Sequence, residues 1–250
     1  MLSRRTALLG LGAVPRALAQ GVVRPPRARK PNVVFVSAET EYRSADTLSR
    51  IAQELEGRHG MRCKVLEASS SSDIPGLEAL EDVDLAVLYL RFLDLPADQL
   101  GHIRAYVNSG RPLVALRTTT HAFNNWKEFG LEVLGAPWLY HYGHDSSTDV
   151  TVTPKMAGHP ILKGVDREFH SRSWLYHVEP VRGEPLLMGT SVGPSSRSER
   201  VPSPVAWTRT YKKARVFYTS LGHPEDFDLA PFRTLLVNGI HWALDRAPSG

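Results

Sequence analysis

Three short stretches of this chain consist almost entirely of apolar residues, and they constrain its fold more than any other feature. They cover residues 32–36, 83–90 and 112–116. Apolar runs of this length are typical of strands that are covered on both faces of a parallel sheet. Between them, apolar residues recur at helical spacing after Ser44 and after Pro96. Strands that alternate with flanking helices predict an α/β fold with a mainly parallel sheet and right-handed crossovers.

The second half of the chain has a different pattern. Residues 148–153, 169–178 and 186–190 have the alternation or the composition of strands, and residues 205–210 and 215–221 are predicted to pair as a hairpin. These strands predict an antiparallel C-terminal extension of the sheet. The two lysines between the paired segments suit a two-residue turn poorly, so a looser connection is predicted there.

The N-terminal segment has the three parts of an export signal in the correct order. The motif SRRTAL contains a pair of arginines, a short apolar run follows, and an Ala-Leu-Ala triplet ends at position 19. Residues 1–19 are therefore predicted to be a twin-arginine-type signal peptide, for the periplasm or another exported location. Residues 20–31 are interpreted as a basic, proline-rich linker and residues 32–246 as one folded domain. The apolar run is too short to span a bilayer, so no stable membrane insertion is expected after signal removal.

The charge distribution argues against a nucleic-acid partner. The chain has a formal net charge of +4 and a sequence pI near 9.3. Residues 1–30, however, contain no acidic residue, and their basic residues outnumber this surplus. The predicted domain is therefore mildly acidic, and its basic residues do not gather into a stripe. Because proteins that bind nucleic acids usually present such a stripe, this class is excluded.

One stretch near the C-terminus carries the strongest indication of chemistry. Residues 215–221 have the composition of a buried strand, Gly222 ends it, and His223, Pro224 and Glu225 follow at once. The carboxyl ends of strands are where open α/β sheets bind ligands. A histidine near a carboxylate is suited to general acid–base catalysis, so His223 and Glu225 are the predicted catalytic pair. The alternative is a polar turn that only leads into the last helix.

Other polar side chains are predicted to follow strand ends and to bind substrate in the same crevice: Glu41, Tyr42, Arg117, Thr118 and His121. An arginine at the end of a buried strand is rarely solvated. Arg117 is therefore interpreted as an anchor for an anion or a hydroxyl group, or as a salt-bridge partner of Glu41. As alternatives, Glu41 forms a surface pair with Arg43, and His121 begins a helix.

The loop YHYGHD, residues 140–145, is rich in histidine and aromatic residues. Its imidazoles, His141 and His144, are three residues apart and could meet on one metal ion. No motif such as HExxH accompanies them, so no metal ligand is assigned. A loop of this composition also suits stacking on a sugar and hydrogen bonding to it, and His144 is therefore predicted to contact substrate. The sequence specifies no cofactor.

Several short segments occur in a specific order and spacing: EYRS (41–44), ALRTTTHAF (115–123), GHPI (158–161), SRSWLY (171–176), PVAWT (204–208) and GHPEDF (222–227). Together they resemble the ThuA-like family, which is named for trehalose utilisation and is similar in fold to class I glutamine amidotransferases. The resemblance covers nearly the whole predicted domain and implies a flavodoxin-like sheet and a link to sugar metabolism. Within these segments, Trp174 and the His159-Pro160 pair are interpreted as packing and turn residues.

The resemblance to the amidotransferases can be tested by chemistry. In those enzymes a cysteine follows a buried strand on a sharp elbow, and a later His-Pro-Glu supplies the base and its orienting carboxylate. Residues 223–225 match the later motif, but the elbow holds Arg117 and Thr118. The only cysteine, Cys63, lies on another predicted strand and is expected to be chemically quiet. Because a thiolate is the nucleophile in that chemistry, glutamine hydrolysis is excluded.

These features together predict an exported protein, similar to ThuA, that acts on a sugar or keto-sugar. The expected chemistry is hydrolysis, elimination or isomerisation by general acid–base catalysis, with His223 oriented by Glu225. Two alternatives remain open: a non-catalytic carbohydrate-binding module of a periplasmic assembly, and a metal-dependent hydrolase. The predicted partner is a small carbohydrate, and the sequence leaves open whether the chain forms a homo-oligomer.

Overall fold

The structure, a computed structural model, describes residues 29–194 and 199–247. The predicted signal peptide, residues 1–19, and residues 20–28 of the predicted linker lie outside this part. Within the described residues, no helix is long and apolar enough to cross a membrane. The domain is organised around one nine-stranded sheet.

The first half of the chain alternates strands and helices, as its apolar runs predict. Its strands are β1 (Asn32–Ala38), β2 (Arg62–Glu67), β3 (Leu85–Leu90) and β4 (Leu113–Leu116). Its helices are α1 (Ser44–Arg58), between β1 and β2, and α2 (Ala97–Asn108), between β3 and β4. Every residue of β3 and β4 is buried, which explains why these two strands are wholly apolar.

The second half contains mainly strands and ends in a helix. The strands are β5 (Tyr140–His141), β6 (Ser147–Val152), β7 (Glu168–Ser171), β8 (Tyr176–His177), β9 (Glu184–Val192), β10 (Ser203–Tyr211) and β11 (Ala214–Thr219). The helix is α3 (Ala230–Ala243). β5 and β8 pair with each other as a small separate ribbon.

The strand order of the main sheet is β2-β1-β3-β4-β11-β10-β9-β6-β7. The first five strands in this order are parallel, and the remaining four add antiparallel pairs. The predicted α/β fold with a parallel sheet and an antiparallel extension is confirmed. The four strands of the extension come before β11 in the chain. In the sheet they lie on the side of β11 that faces away from β4.

Helices pack on both faces of this sheet. On one face, α1 buries Leu48 and Leu55, and α3 buries Leu235. On the opposite face, α2 buries Ile103 and Val107. Because each helix turns its apolar stripe toward the sheet, the carboxyl ends of the parallel strands stay available at one edge.

The predicted strand over residues 169–178 is interrupted. β7 ends at Ser171, and the chain leaves the sheet before β8 begins. The buried carboxylate of Asp226 accepts hydrogen bonds at this point. Its donors here are Ser171 Oγ, the Arg172 N–H and Ser173 Oγ. These contacts hold the chain away from the extended path that its composition favours.

The connection between β10 and β11 is a tight two-residue turn, so the prediction of a looser one was wrong. β10 ends at Tyr211, β11 begins at Ala214, and these two residues are register partners. Lys212 takes the left-handed conformation, with φ of 53°. This conformation costs about 1–2 kcal/mol, and the continuous pairing of two long strands offsets it. Lys212 Nζ also donates a hydrogen bond to Asn108 Oδ1 (2.6 Å).

Three other non-glycine residues with a left-handed backbone lie at the carboxyl edge of the sheet. They are Arg43 before α1 (φ 52°), Phe92 after β3 (φ 48°) and Arg117 after β4 (φ 46°). Such residues are uncommon because the side chain crowds the backbone. Strained residues of this kind cluster at binding and active sites. Their shared position therefore indicates that this edge of the sheet carries the functional site.

Candidate functional site

Arg117 lies at the centre of the carboxyl edge, and its side chain is fully buried. Its Nη1 donates a hydrogen bond to the Ser220 carbonyl (2.9 Å), and its Nη2 donates to the Tyr42 hydroxyl (3.1 Å). Among the residues that the structure describes, the Nε of Arg117 has no hydrogen-bond partner. The salt bridge to Glu41 that the sequence allowed does not form, because Glu41 pairs with Arg91 instead.

Aromatic rings surround this buried cation. The guanidinium carbon of Arg117 lies 4.1 Å from the centroid of the Tyr42 ring. It lies 4.9 Å from the Tyr176 ring and 5.4 Å from the Trp174 ring. Each contact of this kind stabilises a cation by about 0.5–2 kcal/mol. Burial acts to lower the pKa of Arg117, but the surrounding tyrosine hydroxyls raise it above its ordinary value, so the group keeps its charge.

Three predicted binding residues lie below the surface at the ends of β1, β4 and β11, in the region around Arg117 that we call the central crevice. Arg117, Thr118 and Tyr42 are all buried. Thr118 Oγ1, like Arg117 Nε, has no hydrogen-bond partner within residues 29–194 and 199–247. A ligand would contact these three side chains only after the rings above them move.

His223 follows β11 and is half-buried, and its ring contacts the Tyr42 ring (6.3 Å between centroids). Its Nδ1 accepts a hydrogen bond from the Glu225 backbone N–H (3.3 Å). A neutral imidazole that accepts at Nδ1 carries its proton on Nε2. Burial lowers the pKa of His223 below its ordinary value. His223 therefore presents a neutral ring with an Nε2–H donor.

Glu225 does not make the contact predicted for it. Its side chain is 65% exposed, and its Oε2 lies 3.7 Å from Arg172 Nε. In the described part of the chain, no hydrogen bond joins the Glu225 carboxylate to the His223 ring. The backbone N–H of Glu225, rather than its carboxylate, orients the imidazole.

Asp226 is the carboxylate that organises this turn, and sequence reasoning missed it. It is fully buried. Its oxygens accept hydrogen bonds from two segments: Ser171 Oγ, Ser173 Oγ and the backbone N–H groups of Arg172, Gly222 and His223. A signal for this role was present, since His223 and Asp226 have the three-residue spacing of a capping box.

Glu41 belongs to a second set of charged groups at the end of β1. Its carboxylate pairs with Arg91, which also lies 3.4 Å from Glu39. Glu39 is buried and accepts hydrogen bonds from the N–H groups of Tyr42 (2.6 Å) and Glu41 (3.1 Å). Burial raises the pKa of Glu39, although these N–H donors act against the shift. The alternative pairing of Glu41 with Arg43 does not occur, because Arg43 pairs with Asp46.

His121 lies in a stack of rings beside Arg117. Its ring centroid is 4.6 Å from that of Trp138 and 4.9 Å from that of Phe92. Burial, together with the positive charges of Arg91 and Arg117, lowers the pKa of His121 to about 3. The ring therefore stays neutral near pH 7 and can offer hydrogen bonds but binds a proton weakly.

His144 and Trp174 cover the crevice. The His144 ring lies 4.2 Å from Trp174 and 4.8 Å from His141, between centroids. Its Nδ1 is 3.9 Å from Glu41 Oε1, so the structure brings His144 and Glu41 together. Trp174 also contacts the Tyr42 ring (5.5 Å). Interpreted from sequence as a packing residue, Trp174 packs against the core and also connects the buried Tyr42 ring to the His144 ring of the loop.

From sequence, His141 and His144 of this loop could meet on one metal ion. In residues 29–194 and 199–247 there is no group of three or more His, Cys, Asp or Glu side chains arranged to hold a metal ion. Burial and the neighbouring His144 lower the pKa of His141. The rings of His141 and His144 also contact each other and the Trp174 ring.

The elbow after β4 carries Arg117, where the amidotransferases have their cysteine. Cys63 lies on β2, away from this elbow. Burial and the nearby Glu56 raise the pKa of the Cys63 thiol to about 12. The thiol is therefore not ionised at neutral pH. Its strand β2 is separated from β4 by β1 and β3 in the sheet.

Comparison with known proteins decides the family. A family model described as trehalose utilisation (ThuA) matches residues 32–243. The chain belongs to the ThuA family. This agrees with the segments named above, which lie within the matched residues. A comparison with curated proteins gave no match.

Solved structures agree with ThuA family membership. A ThuA-like protein from Parabacteroides merdae ATCC 43184 has a TM-score of 0.68 and 16% identity, over 89% of this chain and 93% of that chain. A ThuA-like protein from Bacteroides uniformis ATCC 8492 has a TM-score of 0.67 and 18% identity, over 90% and 97%. A beta-galactosidase from Bacillus circulans sp. alkalophilus has a TM-score of 0.55 and 9% identity, over 88% of this chain but 32% of that chain. At these identities the likeness concerns the fold alone.

Proposed function

We propose that this ThuA-family protein acts on a sugar or keto-sugar in the central crevice by moving a proton beside a carbonyl group. The observation that carries the proposal is the state of His223. Its ring is neutral, its Nδ1 is occupied by the Glu225 N–H, and it follows the central strand β11. The Nε2–H is left as the group that can donate toward a ligand.

A neutral imidazole can polarise a carbonyl oxygen by donating a hydrogen bond to it. The adjacent carbon then releases a proton more readily to a base. Glu41 is the partly exposed carboxylate of this crevice, and it lies beside His144. In the proposed step, Glu41 takes the carbon-bound proton while His223 Nε2–H gives its proton to the carbonyl oxygen, which forms an enediol. Glu41 then gives its proton to the former carbonyl carbon, and the hydroxyl on the neighbouring carbon returns a proton to His223 Nε2 and becomes the new carbonyl, which completes an isomerisation.

Arg117 supports this chemistry from below. Its charge lies under the Tyr42 and Trp174 rings, and no carboxylate in the described residues neutralises it. A fixed positive charge in a water-poor region stabilises negative charge that develops on a substrate oxygen. Arg117 is therefore a positioning and electrostatic residue in this proposal, and direct contact with substrate would require movement of the rings above it.

Export remains part of the proposal. The order of the arginine pair, apolar run and Ala-Leu-Ala triplet supports it. Twin-arginine export carries folded proteins, so the domain would reach its compartment already folded. A sugar-directed protein in the periplasm would meet its substrates as they enter the cell.

The experiment measures the incorporation of deuterium from the solvent into the substrate. Purified protein is incubated in D2O with native and 3-keto disaccharides, and NMR records both product and deuterium at carbon beside the keto group. We expect exchange with the wild type and none with His223→Ala. His170→Ala is the matched control, because His170 is an exposed histidine paired with Asp149. Exchange by His223→Ala at the wild-type rate would contradict the proposal.

A non-catalytic carbohydrate-binding module is the second candidate. The same fold makes up about a third of a beta-galactosidase chain, so it occurs as one part of a larger carbohydrate-directed enzyme. The two candidates differ in turnover. If the protein only binds, His223→Ala weakens affinity for a sugar, and no variant, including the wild type, exchanges deuterium into it.

A further inference from the structure

A cleft of about 560 Å³ lies beside the central crevice, at the carboxyl ends of β1, β2 and β3. We call it the switch-point cleft. Its lining comes from three segments: residues 37–40 and 43–46 at the end of β1, 67–71 at the end of β2 and 91–93 after β3. β1 pairs with β2 on one side and with β3 on the other. The strand order reverses here, which is where open α/β sheets bind ligands, and the volume is in the range of small-molecule sites.

The charges of the switch-point cleft disfavour an anionic ligand. Three carboxylates line it, from Glu39, Asp46 and Glu67, against two guanidinium groups, from Arg43 and Arg91. The N-terminus of α1 also points here and would by itself attract an anion. Asp46, in the first turn of α1, already supplies that negative charge. A phosphate or carboxylate would therefore meet net repulsion.

Phe92 gives the cleft an exposed aromatic wall. The residue is 43% exposed, and it has a left-handed backbone that a bulky residue rarely adopts. The Phe92 N–H donates to the His121 carbonyl (3.1 Å), which holds this conformation. Arg91 covers part of the ring, with 5.2 Å between its guanidinium carbon and the centroid. A strained residue that presents an apolar face to solvent is typical of a ligand contact.

Hydroxyl groups line the rest of the cleft. Thr40, Ser70 and Ser71 are exposed along its walls. In the described residues, the side-chain oxygens of Thr40 and Ser71 make no hydrogen bond. Each hydroxyl can donate one hydrogen bond and accept others. A flat apolar ring beside free hydroxyls matches a ligand with an apolar ring face and many hydroxyl groups.

We propose that the switch-point cleft binds a neutral, unphosphorylated sugar, with one face of the sugar ring against Phe92. For the class of ligand, this inference rests on the proposed function. What it adds is that the ligand binds in the switch-point cleft and that it carries no charge. The cleft also adjoins the proposed chemistry, because Arg91 pairs with Glu41 and the Phe92 ring contacts His121.

The first test measures affinity by calorimetry with the full chain. The probes are neutral mono- and disaccharides, with glucose 6-phosphate and glucuronate as charged counterparts of glucose. We expect a neutral sugar to bind at least tenfold more tightly than its charged counterpart. Phe92→Ala should weaken that binding at least tenfold, and Phe92→Tyr should retain it. Leu139→Ala, which truncates an apolar side chain of similar exposure (47%) outside the cleft, should bind as the wild type does.

The second test locates the ligand by protection of a thiol. The native Cys63 is a poor target for alkylation, because burial raises the pKa of its thiol to about 12. Ser71→Cys places a thiol in the lining of the cleft, and Ser72→Cys places one next to it but outside the lining. We expect the bound neutral sugar to slow alkylation with iodoacetamide in Ser71→Cys at least fivefold and to leave Ser72→Cys unchanged.

The outcomes separate this inference from the proposed function. The inference is overturned if no neutral sugar binds, if Phe92→Ala binds as tightly as the wild type, or if glucose 6-phosphate binds as well as glucose. Equal alkylation of the Ser71→Cys thiol with and without sugar also overturns it. The proposed function is judged by deuterium exchange in His223→Ala, which does not depend on these measurements.

Discussion

The Asp226 carboxylate accepts a hydrogen bond from the backbone N–H of His223 (3.1 Å). The same carboxylate accepts from Ser171 Oγ and Ser173 Oγ, at the break between β7 and β8. One buried group therefore fixes both the turn that carries the imidazole and the segment that carries Trp174. The geometry of the crevice depends on this joint between two distant parts of the chain.

Asp226→Asn should destabilise the protein. An amide has one acceptor oxygen where the carboxylate has two, so several of the buried donors around Asp226 lose their partner. Each buried group left unsatisfied costs about 1–3 kcal/mol, and we expect the free energy of unfolding in urea to fall by about 2–4 kcal/mol. Asp228→Asn is the control, since Asp228 forms an exposed pair with Arg50, and such pairs contribute roughly 0–1 kcal/mol. Equal losses in both variants would show that Asp226 does not organise the turn.

His223→Asn should separate stability from activity. The asparagine oxygen can accept the Glu225 N–H as a helix cap, so the variant should unfold within about 0.5 kcal/mol of the wild type. It lacks the Nε2–H and should lose deuterium exchange. Glu225→Gln should retain exchange, because the Glu225 carboxylate faces Arg172 and not the ring. If Glu225→Gln abolishes exchange in folded protein, the carboxylate has a catalytic role that its exposed position does not suggest.

His121 should make the protein sensitive to acid. Its pKa is about 3 in the folded state and about 6.5 when the chain is unfolded. Between these values the unfolded chain binds the extra proton, so stability is complete above pH 6.5 and falls as the pH decreases toward 3. The slope from one such group is at most about 1.4 kcal/mol per pH unit. His121→Gln should lose less stability than the wild type between pH 6.5 and 4.5, and parallel unfolding curves at every pH would refute this.

Cys63 should be unreactive in the folded protein. Its thiol has a pKa of about 12 because of burial and Glu56. We expect no reaction with a disulfide reagent at pH 7.5 over minutes, and complete reaction after denaturation. Cys63→Ser should keep deuterium exchange and lose about 1–2 kcal/mol of stability, because a hydroxyl needs a hydrogen-bond partner more than a thiol does. Rapid labelling of the native protein would contradict the prediction.

Residues 1–19 should be absent from exported protein. The arginine pair, the apolar run and the Ala-Leu-Ala triplet predict cleavage before Gln20. N-terminal sequencing of protein recovered from the periplasm should therefore begin at Gln20. Replacing Arg4 and Arg5 by lysine should retain the protein in the cytoplasm with residues 1–19 attached. An intact N-terminus on periplasmic protein would count against this signal.

Local pattern in the sequence determined the layers of the fold. β3 and β4 are continuous apolar runs because both faces of the central sheet are covered. Each residue of these strands is therefore apolar, whichever face its side chain lies on. The same reasoning placed His223, Arg117 and Glu41 after strand ends, and strand ends of a parallel sheet meet at one edge. The order of the ThuA-like segments predicted the family, which the match over residues 32–243 confirms.

Only the tertiary structure decided which groups touch. Glu225 and Asp226 are adjacent carboxylates, and the choice between them depended on donors more than fifty residues earlier in the chain. Burial of Arg117 among aromatic rings, rather than in a salt bridge with Glu41, likewise depended on two separate segments, which carry Tyr42 and the Trp174–Tyr176 pair. The spacing of apolar residues along the sequence indicates which face of a helix or strand is covered. It does not report the partner of a side chain, because that partner is set by the way distant elements pack.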